Sequence, residues 1–104
     1  MTDREKIERA IKLELGLPEH HVLTDEDGQR VTTLYLWGKN IVDVGPLASL
    51  TALMTLDLRG NEIVDVGPLA SLTALTTLYL WDNEITHSAI DDLRAALPGC
   101  RIYA

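Results

Sequence analysis

The chain of 104 residues has no phenylalanine, one cysteine, and nine basic residues against sixteen acidic ones. Each scarcity excludes something. With Cys100 as the only thiol, no internal disulfide forms and no cysteine metal site assembles. A formal net charge of −7 leaves no basic stripe for a nucleic-acid backbone and suits a basic or neutral partner better. No run approaches the roughly 18 apolar residues of a membrane span. The opening MTDREKIERA lacks the basic-then-apolar plan of a signal peptide. The expectation is a soluble chain, cytoplasmic as given, without membrane contact. His20, His21 and His87 have no second ligand at metal-site spacing, and no Ser, His and acid converge on a cleft. Gly45 and Gly67 belong to a repeat, so no phosphate-cradling loop is present. Asp82 with Glu84, or the row of Asp43 and Asp65, offers weak calcium chemistry at best and reads better as solvated loop carboxylates. Asp57, placed beside exposed tyrosines, is expected to lack the burial that raises a carboxylate's pKa. These readings predict no enzyme, no metal and no cofactor.

What the chain has in abundance is repetition. The stretch IVDVGPLASLTAL stands at positions 41 to 53 and again, unchanged, at 63 to 75, a step of 22 residues. At the same step recur Leu34-Tyr35-Leu36, Leu56-Asp57-Leu58 and Leu78-Tyr79-Leu80. A fixed step of this length makes each copy one unit that must stack on its neighbours to bury a core. Leu-x-Leu alternation sends two leucines inward from a short strand and the residues between them outward. Val44, Leu47 and Leu50, repeated as Val66, Leu69 and Leu72, return to the core from the back of the coil. Pro46 and Pro68 suit the first position of a short helical turn there, with Asp43 and Asp65 as caps. An Asn after each strand, Asn61 and Asn83, is placed to bond backbone groups at the turn. The first copy has Lys39 instead, which cannot accept a hydrogen bond. Its turn should therefore be looser, or satisfied by the terminal cap.

Both ends depart from the repeat. Residues 2 to 16 read as a helix: Thr2 and Glu5 have capping-box spacing, Ile7, Ala10, Ile11 and Leu15 form the apolar side, and Gly16 with Pro18 supplies the stop. Residues 17 to 30 continue this lid, with Val22-Leu23 as a short strand and Thr24 with Asp27 capping a turn closed by Gly28. At the other end HSAIDDLRAAL has helical spacing through Ile90, Leu93 and Leu97, with Ser88 and Asp91 in capping positions and Pro98-Gly99 as the stop. Adding 22 to Leu75, Leu78 and Leu80 gives Leu97, Cys100 and Ile102. The expectation is a fourth parallel strand with Cys100 buried in a leucine's place.

The pattern Leu-x-x-Leu-x-Leu-x-x-Asn-x-Ile is complete at Leu53 to Ile63 and at Leu75 to Ile85. On these residues the chain resembles the leucine-rich repeat family, in its 22-residue, internalin-like class found in bacteria. The resemblance implies an α/β fold. It would be a small right-handed solenoid with a short parallel sheet on the concave face, short helical turns on the convex face, and helical caps at both ends. The expected division of the single domain is 1-30 as N-terminal cap, 31-86 as repeats and 87-104 as helix-strand cap. Members of the family are commonly secreted or surface-bound, and their repeats serve as general protein-recognition scaffolds.

Function is expected on the outward strand positions, which differ between copies: Thr33, Tyr35 and Trp37; Thr55, Asp57 and Arg59; Thr77, Tyr79 and Trp81; Arg101 and Tyr103. Every aromatic residue of the chain is among them. The 22-residue step predicts one row of Tyr35, Asp57, Tyr79 and Arg101, and a second of Trp37, Arg59, Trp81 and Tyr103, with Arg59 between two indoles. Such residue types dominate binding hot spots. Four strands span about 20 Å, which suits a peptide or small epitope. Two readings stay open. In one, the face binds a protein or peptide, with Tyr35, Trp37, Tyr79 and Trp81 as anchors and Asp57, Arg59 and Arg101 giving orientation. In the other it is structural: it packs on a second copy as a homo-oligomer, or merely steadies a repeat scaffold through cation–π stacking of about 0.5–2 kcal/mol. A sugar lying on the rings is a minor third reading.

Overall fold

A computed structural model describes all residues, 1 to 104. The chain begins with α1, Asp3–Leu15, set by its ends. The Thr2 hydroxyl accepts from the Glu5 amide at 3.1 Å, and the Glu5 carboxylate accepts from the Thr2 amide at 3.2 Å. Gly16 ends the helix in the left-handed region, and the Leu17 amide closes back on the Lys12 carbonyl at 2.8 Å. Ile7 and Ile11, one turn apart, are the buried face and close the N-terminal end of the core. A second short helix, α2 at Asp25–Gln29, starts at Thr24 with the expected reciprocal cap from Asp27. Gly28 lies inside this helix, which ends at Arg30. Val22 and Leu23 form no strand, and Val22 is 82% exposed.

Four three-residue strands follow: β1 Thr33–Tyr35, β2 Thr55–Asp57, β3 Thr77–Tyr79 and β4 Arg101–Tyr103. They pair in parallel, in chain order. Leu34, Leu56 and Leu78 are direct neighbours across the first three, as the repeat step requires. Behind them, short 3-10 turns at Gly45–Leu47 and Gly67–Ser71 each carry a proline in their first two positions. Asp43 and Asp65 do not cap these turns directly. Each accepts from the glycine amide two residues on, at 2.8 Å, and so shapes the bend just before the turn. One continuous core of 23 buried hydrophobic residues runs from Ile7 to Ile102. At about 1.5–3 kcal/mol per fully buried aliphatic side chain, this stack is the main stabilising term of the fold.

The asparagines tie the coils together. Asn61 is buried; its amide donates to the carbonyls of Leu58 in its own coil and Leu36 in the preceding one, both at 2.9 Å. Its oxygen accepts from the amides of Lys39 and Ile41 at 3.1 and 3.0 Å. Asn83 repeats this one coil later, donating to Leu58 and Leu80 and accepting from Ile63, but it is only half-buried. Each asparagine thus reaches backwards. The first coil has no predecessor, which is why Lys39 is tolerated there. Its turn is held from both sides: by Asn61, and by α1, where Asp3 accepts from the amides of Val42 and Asp43 and Lys6 donates to the Asn40 carbonyl.

The last coil differs from the expectation. Leu78 pairs with Ile102 and Tyr79 with Tyr103, a step of 24 residues (103 minus 79) and not 22. The physical reason is the connection. Helix α3, His87–Ala96, capped by the Thr86 hydroxyl at 3.1 Å from the Ala89 amide and not by Ser88, replaces the 3-10 turn of the other coils. An α-helix advances about 1.5 Å per residue against about 2.0 Å in a 3-10 helix. Covering the same path takes more residues. Cys100 consequently precedes the strand. It is half-buried at the edge of the core, not in a leucine's position, and burial pushes its thiol pKa up. No helix is long and apolar enough to cross a membrane.

Candidate recognition surface

Alternation along β1, β2 and β3 turns the predicted outward residues to one side of the sheet, and the parallel register lines them up between strands. Tyr35 and Trp37 stand furthest out, at 59% and 67% exposed, and Trp81 follows at 45%. Tyr79 and Tyr103 are half-buried because they lie against each other, with ring centroids 5.1 Å apart and planes 14° from parallel. Trp81 leans on both, at 6.0 Å from Tyr79 and 5.6 Å from Tyr103. The register of β4 makes this cluster: a shift of two residues brings Tyr103 beside Tyr79 and moves Arg101 next to Thr77. The rows are therefore Tyr35, Asp57, Tyr79 and Tyr103, and Thr33, Thr55, Thr77 and Arg101. Arg101 stays exposed at the margin.

Arg59 stands between Trp37 and Tyr79, not between the two indoles. Its guanidinium carbon is 6.0 Å from the Trp37 ring and 5.3 Å from the Tyr79 ring. What aims it there is Asp57, two residues earlier on the same face. Arg59 donates from Nε to Oδ1 at 2.9 Å and from Nη2 to Oδ2 at 2.7 Å, and its backbone amide adds a third bond to Oδ1 at 3.1 Å. Contrary to the expectation from sequence, Asp57 is buried, at 3% exposed. Burial pushes its pKa up, but the hydrogen bonds and charge of Arg59 outweigh that, and the carboxyl stays below its ordinary range. The same pair raises the pKa of Arg59, which stays charged. The strand period places Asp57 and Arg59 on one face at i, i+2, so the two charges form a pair and do not act as separate orienting groups.

Gly60 completes the arrangement. Its backbone has φ of +68°, and a Cβ there would meet the Trp37 indole nitrogen at 3.2 Å. The Trp37 ring thus lies over a backbone that only glycine leaves free. Away from this face, His21 donates from Nε2 to the Asp27 carboxylate at 2.8 Å, and that bond, with the Thr24 amide, holds the Asp27 carboxyl down to about 2. No group of three or more His, Cys, Asp or Glu side chains is placed to hold a metal ion.

A family model described as Leucine Rich repeats (2 copies) matches residues 52–95. Among solved structures, the chain is similar to an internalin (inlF) from Listeria monocytogenes, with 27% identity and a TM-score of 0.77 over 94% of this chain. It is also similar to a leucine-rich repeat protein of Leptospira interrogans, with 26% identity and a TM-score of 0.53; that match covers 58% of this chain and 16% of the other. A Listeria monocytogenes internalin C2, 21% identical with a TM-score of 0.53, covers 95% of this chain and 62% of its own, and shares the fold. The chain spans 28% of the length of the first internalin. No curated protein matches the sequence significantly.

Proposed function

We propose that this chain, a leucine-rich repeat protein of internalin-like build, recognises a protein or peptide through the outward face of its parallel sheet. Leucine-rich repeat proteins are generally interaction modules and typically non-enzymatic, which is the frame for the finer reading. One observation carries it. All five aromatic residues, two Trp and three Tyr, stand on this face, and Tyr35, Trp37 and Trp81 keep about half or more of their surface in water. Large rings left in water side by side form the kind of apolar patch that marks an interaction site. Their polar tips and the fixed charge of Arg59 supply direction. Asp57 then acts through Arg59, and Arg101 reads the partner from the margin.

The second reading is structural, and the stacking of Arg59 on Trp37 and Tyr79 favours it. It accounts for Arg59 and Tyr79 but leaves Tyr35 and the outer faces of both indoles without a role. Affinity capture with the wild type and with a Trp37→Ala, Trp81→Ala double variant, each checked by thermal melting, separates the two. Recognition requires that captured partners be lost while the melt is nearly kept. Capture that does not change sinks it. Mass measured at several concentrations separates a second copy on this face from a foreign partner.

A further inference from the structure

The sheet face does not end at β1. Helix α1 crosses beside it, and its register gives it a second side distinct from the buried one. Lys6, Arg9 and Leu13 fall at i, i+3 and i+7, on one line along the helix. Between that line and β1 lies an open cleft of about 500 Å³, whose lining includes these three residues together with Glu14, Tyr35 and Lys39. Its apolar lining is Met1, Ala10, Leu13 and Tyr35: Leu13 is 76% exposed, and Tyr35 brings the ring that begins the aromatic row. Its rim is basic, with three cations against one carboxylate in a chain whose net charge is −7. Lys6 is engaged by Asp3 at 3.7 Å and by the Asn40 carbonyl. Arg9 and Lys39 have no carboxylate within 4.0 Å. Two cations without an ion-pair partner thus flank exposed apolar surface in a chain whose net charge is negative.

We propose that this cleft is a docking site for a short acidic peptide segment, with its carboxylates on Arg9 and Lys39 and one apolar side chain in the space between Leu13 and Tyr35. This rests on the sheet face being a recognition surface, which it extends onto the N-terminal helices through Tyr35. The charge pattern selects the occupant. A long polyanion would be repelled by the net charge, whereas a peptide of a few residues meets only the local positive field, since charges beyond about 10 Å are screened at ordinary salt. The volume admits one large side chain with its flanking backbone, and Tyr35, which lines the cleft and stands on the sheet face, joins the two.

The test uses fluorescence anisotropy with three dye-labelled probe peptides of equal length: glutamates flanking a central leucine, the same with serine for leucine, and the same with lysines for glutamates. The full chain should prefer the first to each of the others by about tenfold or more, and lose that preference as salt rises. An Arg9→Glu, Lys39→Glu variant should bind the first probe at least about tenfold more weakly, with Arg9→Gln, Lys39→Gln between it and wild type. Melting curves of both variants confirm that these exposed changes leave the fold intact. Equal binding by wild type and the charge-reversed variant, or no preference among the probes, overturns the proposal. The Trp37→Ala, Trp81→Ala variant is the separate control for the sheet face. If it binds the first probe as wild type does and the charge-reversed variant does not, the cleft stands. If only the tryptophan variant loses binding, the cleft is wrong and the sheet face alone is the site.

Discussion

Single residues in this molecule act through the backbone groups they hold. Asn61 serves two coils at once, so Asn61→Ala would strand the Lys39 and Ile41 amides and the Leu36 carbonyl in or near the core. At about 1–3 kcal/mol for each polar group left unpaired, a loss of about 3 kcal/mol or more is expected in urea denaturation. Amide exchange at Lys39 and Ile41 should quicken beyond the global loss. Asn83→Ala should cost less, because Asn83 is half-exposed and water replaces part of what it gives. Equal costs would show that burial does not set the scale. Asp27 adds a pH dependence. Its folded pKa is about 2, below the ordinary 3.8, chiefly through His21, so the folded state gains wherever the carboxyl is ionised. That gain is complete above about pH 4 and fades as the pH falls toward about 2. His21→Ala should lower the melting temperature at neutral pH, and the gap to wild type should close across that acid window. A gap that stays constant to about pH 2 would mean that His21 acts through packing and not through the Asp27 charge.

At the scale of the element, the turn after each strand and the free edge of β4 show where rules are bent. Gly38, Gly60 and Asp82 hold the same place in successive coils, with φ of 65°, 68° and 59°. Of these three positions Asp82 alone carries a side chain, in a conformation that glycine takes without strain, so Asp82→Gly should be neutral to stabilising by about 0.5–1 kcal/mol, against the usual penalty for adding glycine. A clear destabilisation in urea melts would mean that the Asp82 side chain has a bond that offsets its strain. On β4, the Ile102 carbonyl points away from β3, and Arg94 of α3 donates to it at 3.1 Å. This covers part of an otherwise open strand edge, the kind of edge through which chains pair. Arg94→Ala should raise association with protein concentration in sedimentation, and an unchanged monomer would show that the edge is blunted by other means. These elements also mark what the sequence made readable. The strand alternation, the capping boxes and the back-of-coil turns follow from local residue types, and β1 to β3 fall where a 22-residue step puts them. The position of β4 was hidden because it depends on how far a helix carries the chain, which the step cannot encode. The outward residues were legible as a set, but the place of Arg59 depended on its pairing with Asp57. The cleft beside α1 was not legible, since it exists only once the helix is docked against β1.

For the whole molecule, the question is whether stability adds coil by coil. The structure measures 40 × 26 × 16 Å and each coil touches chiefly its neighbours: β1 meets β2, β2 meets β3, and the two 3-10 turns meet each other. The asparagine bonds also join adjacent coils only. Energies in such a stack are approximately a sum of coil terms and nearest-neighbour interface terms. A second copy of residues 55 to 76, inserted after Thr76, would meet the same surfaces that the middle coil meets now. It would add one more Asn rung, one more set of buried leucines and one further strand at about 4.8 Å spacing, while leaving α1 and α3 on the ends they already cover. The enlarged chain should therefore unfold at higher urea, with a steeper dependence on urea in proportion to the extra buried surface, and in a single transition. Its long dimension in X-ray scattering should grow by roughly one strand spacing. Should it unfold at lower urea, or in two steps, the terminal helices would be matched to this particular number of coils, and the sheet face would have a fixed width set by them. Should it behave as the sum requires, the width of the aromatic face is adjustable by adding coils whose outward residues are chosen while the repeated back is kept.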